Sequence, residues 1–501
     1  MKKLRVLLIT ILIGLVTSSL AQVTVRVGLG ADPDILDPDL GRTLVGRIVF
    51  ASLCDKLFEI TPDLQVVPQL ATGYQVSEDG LTLTIRIRQG VVFHDGTPLN
   101  AEAVKFNLER SLNLPGSLRR SEIQQISSVE AIDNYTVQLN LSEPFAPLIA
   151  QLADRAGMMI SPTAAKTLGE QFGANPVCAG PFRFVSRVAL DRIVLERFTD
   201  YWDAERIKID RVVFLPIPDA SVRLVNLRAG DLDLIEGVAT TDLNLVRADP
   251  NLELVSSPSL AYQGMTINLA NPAPRDHPLA TDVRVREALD LSLDRNAINQ
   301  VVFDGQFLAG NQPHPPTSPW YIADYPMVAR DVERSKALLA EAGHTRVAFE
   351  LMVVNNPVAI RVGEVIQIMA AEAGFDISLR PTEFVTALDL QTQGTYDVFQ
   401  VGWSGRIDPD GNIHQFHTCE GTFNFTGYCD DIVTQLLNEA RTTSDPTERL
   451  ALYREAALRF LPNRHIIYLY HPQLFFAHTN RLRGFEAYPD GLIRFQGVTL
   501  N

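Results

Sequence analysis

The sequence predicts an α/β fold with more than one core, and three observations predict it. The chain has 501 residues, 46% of them apolar, whereas a single core stops growing near roughly 250–300 residues. Short alternating runs fill the first half, with an amphipathic helix among them. After Asn268 the pattern becomes strand, helix, strand, the spacing of a mainly parallel sheet with helices on its faces.

The elements follow in order. Val23-Thr24-Val25-Arg26-Val27 alternates, as do residues 81–87 and 136–141, so half-buried strands are expected there. Between the last two, Asn100 can cap a helix whose Val104, Leu108 and Leu112 form one apolar stripe. Two more strand patterns, 192–198 and 211–215, complete a mixed region from Gln22 to about Gln263. Beyond it, helices are expected to start near Asp282, Asp331 and Pro357. A strand over 347–354 is followed by a helix carrying Val362, Val365, Ile366, Met369 and Ala373 and stopped by Gly374. Strands at 375–379 and 396–401 complete this half.

Residues 1–21 are a separate object. Lys2, Lys3 and Arg5 precede an apolar run over 4–16, and Ser19-Leu20-Ala21 offers the small residues of a cleavage site. An export signal cut after Ala21 is expected. The chain after it starts with Gln22 and so has no cysteine for a lipid anchor, which points to a soluble periplasmic product. The apolar run falls short of the roughly 20 residues a spanning helix needs.

Composition excludes several classes of function. Lys and Arg number 44 against 59 Asp and Glu, a formal charge of −15, so a nucleic-acid backbone would be repelled. There is no Gly-x-Ser-x-Gly elbow, no His-Glu-x-x-His helix and no phosphate-binding loop with lysine, so no enzyme is expected. A secreted hydrolase with convergent carboxylates remains the alternative. No cofactor is expected either. His414 and His417, three apart and followed by Cys419, could face one ion, but two histidines alone fall short of a closed site; structural roles and no metal are expected.

An exported chain with four cysteines can form disulfides. Cys419 and Cys429 enclose a short irregular loop and are expected to pair, and Cys54 with Cys178 follows by elimination, two buried free thiols being the alternative.

Ligands in parallel α/β sheets gather beyond the carboxyl ends of strands. Two segments qualify: Asn355-Asn356-Pro357, and Gly402-Trp403-Ser404-Gly405-Arg406-Ile407-Asp408-Pro409-Asp410-Gly411-Asn412. In the second, Trp403 offers a flat wall and Arg406 can clamp a carboxylate or phosphate. Asp408 can take an ammonium group or hold Arg406, and Asp410 and Asn412 are further candidates. A surface turn with a core tryptophan is the structural alternative.

A family resemblance becomes specific at this point. The stretch Val76-Ser77-Glu78-Asp79-Gly80-Leu81 through Val91-Val92-Phe93-His94-Asp95-Gly96-Thr97-Pro98-Leu99-Asn100 resembles the signature of family 5 solute-binding proteins, the peptide, nickel and glutathione class of ABC importers. The likeness continues through Cys178-Ala179-Gly180-Pro181-Phe182, Tyr201-Trp202, Pro216-Ile217-Pro218-Asp219-Ala220 and Gly402-Trp403-Ser404. It implies a two-lobe periplasmic binding protein fold with mixed sheets, an extra subdomain in the first lobe and a two-strand hinge. The expected division is 22–265 for the first lobe, with its subdomain at about 66–178, 266–477 for the second, and 478–501 returning to the first. Tyr262 becomes a candidate cleft residue and Asn268 a candidate hinge residue. The partners implied are a small-molecule or peptide solute and the permease and ATPase subunits of an importer, the protein itself being a monomer. An exported chaperone or sensing receptor on the same scaffold is the alternative. Many peptide-binding relatives carry an aspartate three residues after the loop tryptophan, where this chain has Arg406. An anionic or zwitterionic solute is therefore expected over a plain free-amino peptide.

Overall fold

The computed structural model describes residues 22–501, and the export signal expected at 1–21 lies outside them. Two large sheets organise the chain. The first has seven strands in the order Leu252–Pro258, Gln473–Thr479, Leu234–Ile235, Thr24–Leu29, Arg211–Pro216, Arg192–Arg197 and Phe182–Val188. Its central strand, Thr24–Leu29, runs parallel to both neighbours. Val25, Val27 and Leu29 are fully buried there, so alternation in the sequence becomes a packed inner face.

The second sheet has six strands in the order Leu308–Ala309, Ile466–His471, Tyr262–Ile267, Val398–Trp403, Val347–Val354 and Phe375–Thr382. The last three are parallel to one another, as the helical spacing between them requires. The first three join antiparallel. The expectation of a mainly parallel sheet is thus corrected to a mixed one, because strands distant in sequence complete its edge. The helices begin where the caps predict: Asp282, Asp331 and Asn356 each accept a backbone N–H at the first turn.

The chain passes between the sheets twice. Leu252–Pro258 leads through Ser259, Leu260 and Ala261 into Tyr262–Ile267, and Ile466–His471 leads through Pro472 into Gln473–Thr479. The family resemblance puts these passages near 265 and 478; the structure places them at 259–261 and at Pro472. The passages are tied together: Ser259 Oγ donates to the Pro472 carbonyl, and His471 Nδ1 lies 3.1 Å from the Ala261 carbonyl. Asn268, expected at the hinge, is elsewhere. It is buried at the end of its strand in the second lobe, its amide donating to the carbonyls of Asn271, Gly394 and Tyr396. An asparagine after a strand reads equally well as a turn staple, and here that is its role.

An antiparallel four-stranded sheet forms the subdomain, in the order Ala71–Val76, Thr82–Ile87, Thr136–Leu141 and Ile126–Asp133. Helix Ala101–Asn113, capped by Asn100, lays Val104 and Leu108 on Leu83, Ile85, Val137 and Leu139. Each such side chain contributes about 1.5–3 kcal/mol by leaving water. Cys54 is bonded to Cys178 and Cys419 to Cys429, the pairing expected from the short loop between the latter two and from elimination for the former.

Candidate functional site

The strand Val398–Trp403 ends with Trp403 opposite Tyr262, and the chain then turns back on itself. Gly405 makes the turn at φ +78°, where a Cβ would sit 2.1 Å from the Leu260 carbonyl. Asn412 holds the loop shut. Its Oδ1 accepts from Trp403 Nε1 at 3.1 Å and from the Arg406 backbone at 2.7 Å, and its amide donates to the Arg406 carbonyl at 2.8 Å. The Arg406 guanidinium then lies 4.4 Å from the Trp403 ring centroid.

Arg406 reaches out of the second lobe into the first. Its Nε is 2.5 Å from Asp154 Oδ2, while Arg47 Nε donates to Asp154 Oδ1 at 3.1 Å. Both arginines also reach Ser404 Oγ, at 3.2 and 3.3 Å. Arg406 is 8% exposed, and its Nη2 is buried without a partner. Burial, reinforced by Arg47, pushes Arg406 down to about 10. Burial alone would raise Asp154, but Arg406, Arg47 and Arg155 outweigh it and hold the carboxyl well below its ordinary value.

The other acids of the loop have internal partners in place of a solute. Asp408 neither takes an ammonium group nor holds Arg406; Arg449 grips both its oxygens at 2.9 Å. Asp410 is fully buried in a bidentate pair with Arg441, at 2.6 and 3.0 Å. Asn412 is the staple already described. Tyr262 packs at 4.8 Å on Tyr468 and at 6.4 Å on Phe416 and is 3% exposed, so it belongs to a core. Spacing placed these groups together correctly; whether each pointed at solvent or at another residue depended on partners far away in sequence.

Asn355 is exposed and does line a cavity. Between the two sheets lies a cleft of about 840 Å3. Gly30, Ala31, Asp32 and Glu236 wall it from the first lobe, and Asn355, Asn356 and Arg361 from the second. Arg223 lines it too, but donates to the carbonyls of Ile217, Pro218, Glu236 and Gly237. Around the loop itself, Arg47, Gln151, Asp154, Asp490 and Arg406 enclose a smaller cavity of about 20 Å3. The two cavities adjoin: Leu44 and Gly491 line the larger, Arg47 and Asp490 the smaller.

Sequence reasoning missed Arg47, Arg119, Asp154 and Arg155. A signal existed for two of them: Asp154-Arg155 interrupts the apolar run Leu152-Ala153 to Ala156-Gly157-Met158-Met159-Ile160, and charges inside such a run are buried and paired. His414 and His417 do not face one ion. His414 Nε2 lies 2.8 Å from Asn438 Oδ1, and His417 lies between His465 and Tyr468 at 2.7 and 3.0 Å. Among the described residues, the one close group of metal-type donors is Cys419, Cys429 and Asp431, two of which are disulfide sulfurs.

Two α/β lobes joined by two crossing strands, with a cleft between them, are the architecture of a hinged solute-binding protein. Residues 65–424 match the family described as bacterial extracellular solute-binding proteins, family 5. The chain belongs to this family. It is 29% identical over 488 residues to the glutathione-binding protein GsiB of Pectobacterium atrosepticum, covering 95% of this chain and 93% of that one. To GsiB of Salmonella typhi it is 30% identical over 496 residues, covering 96% and 95%. Among solved structures it resembles the PBP AgaA in complex with agropinic acid from A. tumefaciens R10, at TM-score 0.87 and 26% identity, covering 95% and 99%. It also resembles the ABC transporter-associated periplasmic binding protein DppA of Helicobacter pylori in complex with the peptide STSA, at TM-score 0.88 and 24% identity, covering 95% and 98%. The family and these relatives are described as binding proteins, and DppA as one associated with an ABC transporter. No helix among the described residues is long and apolar enough to cross a membrane.

Proposed function

We propose that the protein is the periplasmic receptor of an ABC importer for a small peptide-like, anionic or zwitterionic solute, which it holds between its lobes and passes on unchanged. Relatives that bind glutathione and agropinic acid support this reading. The observation that carries it is Arg406, a buried cation at a strand-end loop beside the cleft, with one nitrogen free of any partner. The solute's anionic end lies against Arg406, and its body extends toward Asn355 along the larger cavity.

Closure follows from the two crossings. A solute that touches both lobes binds the closed form better than the open one, and that difference drives the hinge. The closed receptor, a monomer freed of its signal after Ala21, docks on the permease. The test is a thermal-shift and small-angle scattering titration with acidic peptides, with the recovered solute examined by mass spectrometry. A higher melting temperature, a smaller radius of gyration and an intact solute are expected. Conversion of the solute would replace the receptor reading with an enzyme.

A further inference from the structure

The loop closed by Cys419–Cys429 stands at the boundary between the lobes. It is fixed from within to the second lobe. Asn424 donates to the carbonyls of Thr418 and Tyr428 at 2.9 and 2.6 Å, and Phe423 N donates to the Gln415 carbonyl at 3.0 Å. Gly421 approaches that carbonyl so closely that a Cβ would sit 2.4 Å from it. Thr422 is thereby held beside Gln415, whose Oε1 accepts from the Thr422 backbone at 3.3 Å.

Opposite lies Ser121, in the short helix Arg120–Ile123 that adjoins the subdomain sheet. Three side chains of the second lobe converge on this one residue. Thr422 Oγ1 donates to Ser121 Oγ at 2.9 Å, and Gln415 Nε2 and Arg441 Nη2 donate to the Ser121 carbonyl at 3.2 and 3.3 Å. Nearby, Ala146 N donates to the Arg441 carbonyl at 2.8 Å. The subdomain is fastened to the first lobe by the Cys54–Cys178 bond and by Gly180 N, which donates to the Leu53 carbonyl at 2.8 Å. The contacts at Ser121 therefore exist only while the lobes are together.

Their chemistry suits a contact that must form and part. Hydroxyl, amide and carbonyl groups find water when separated, so each bond adds a modest net stabilisation. Arg441 keeps Asp410 as its partner in either state, because both belong to the second lobe. Ser121, Gln415 and Thr422 line neither of the two cavities. Aromatic rings nonetheless join them to the solute loop. Phe423, next to Thr422, lies 5.3 Å from the Trp403 ring, and Phe416, next to Gln415, lies 5.0 Å from it.

Resting on the solute-binding reading above, we propose that the disulfide loop is a closure catch: Thr422 and Gln415 engage Ser121 when the hinge shuts, and Phe423 and Phe416 couple that engagement to Trp403. These are positioning residues. They set how tightly a solute is held without touching it, because a bond made only in the closed form favours closure and raises apparent affinity.

The test uses the whole protein, with glutathione and the peptide STSA as probes in calorimetry and small-angle scattering of the solute-free protein. Thr422→Val keeps the side chain's shape and removes its hydroxyl; Ser121→Ala removes the partner. If the free protein is mostly open, each variant should bind about 3- to 10-fold more weakly, the worth of one neutral hydrogen bond, through faster release and unchanged capture. If it is mostly closed, the loss shows as a larger radius of gyration. The two substitutions remove one shared bond, so the double variant should lose no more than either alone. Thr422→Ser keeps the hydroxyl and should behave as the parent. Unchanged affinity together with unchanged radius in both single variants would overturn the catch, and so would additive losses in the double variant. A lower melting temperature with neither affinity nor radius moved would mark Thr422 as scaffold and overturn it too. If neither probe binds, a larger radius in the variants would support the catch and count against the receptor reading, and an unchanged radius would count against both.

Discussion

Replacing Asp410 with asparagine keeps the shape of a buried carboxylate and removes its charge. Asp410 and Arg441 are 0% and 1% exposed and joined by two hydrogen bonds, at 2.6 and 3.0 Å. Burial pushes the Asp410 carboxyl up, but Arg441 outweighs it and holds the group below its ordinary value. In Asp410→Asn the guanidinium stays buried without a countercharge, which costs about 3–5 kcal/mol. If the second lobe melts as a unit of about 200 residues, at about 2.1 cal/mol/K of unfolding entropy per residue, its midpoint falls by about 7–12 °C. Adding Arg441→Met removes the orphaned charge and should recover most of the loss, because an apolar replacement of a whole buried pair is often neutral or better. Calorimetric melting of the parent, both single variants and the double variant completes the cycle. A loss below about 1 kcal/mol for Asp410→Asn would mean that the pair behaves as a solvated one, and the reasoning from burial would be wrong. Lost solute affinity with intact stability would return Asp410 to the binding site.

Three further outcomes are expected. Removing Cys54–Cys178, which spans 124 residues, should cost about 5 kcal/mol against about 2.7 for the 10-residue Cys419–Cys429 span, as chain entropy scales; equal losses in urea melts of the two alanine pairs would refute that scaling. Burial lowers His94, His414 and His471 to about 4 and His314 and His417 to about 3. The unfolded chain, titrating near 6.5, therefore binds more protons below that pH. Stability is full above about 6.5 and falls toward the folded values, by up to about 2 kcal/mol per histidine at pH 5. Asp55, raised to about 7, works in the opposite direction over about 4–7, and a flat urea midpoint between pH 7.5 and 5 would refute the balance. Asn412→Ala should release the 402–412 loop, lowering stability by about 2–4 kcal/mol for three hydrogen bonds with buried partners and shifting Trp403 fluorescence; an unchanged spectrum would show that the loop does not need its staple.

How far the sequence could be read depended on distance along the chain. Asn100, Asp282, Asp331 and Asn356 cap helices they adjoin, and the strand from Val347 to Val354 sits where its apolar run predicts. The loop of Gly402 to Asn412 does follow a strand's carboxyl end, as its position in the sequence suggested, yet the roles of Asp408, Asp410 and Asn412 were not legible. Arg449 and Arg441 lie 41 and 31 residues away, and nothing in spacing tells a free carboxylate from one already gripped. Asn268, a hinge candidate from the family resemblance, is a turn staple.

The sequence by itself determined the α/β class, the helix starts and, through a long motif, the family. Each depends on neighbouring residues or on a continuous stretch of chain. Tertiary structure alone decided where the chain passes between sheets, which carboxylates are spent on internal arginines, and that Arg47 and Arg406 meet on Asp154 from the two lobes. Arg47 and Arg406 stand 359 residues apart along the chain, and the sequence holds 44 lysines and arginines in all. Convergence and burial, which turn a scattered cation into a binding group, are properties of the folded contact and are absent from any local pattern.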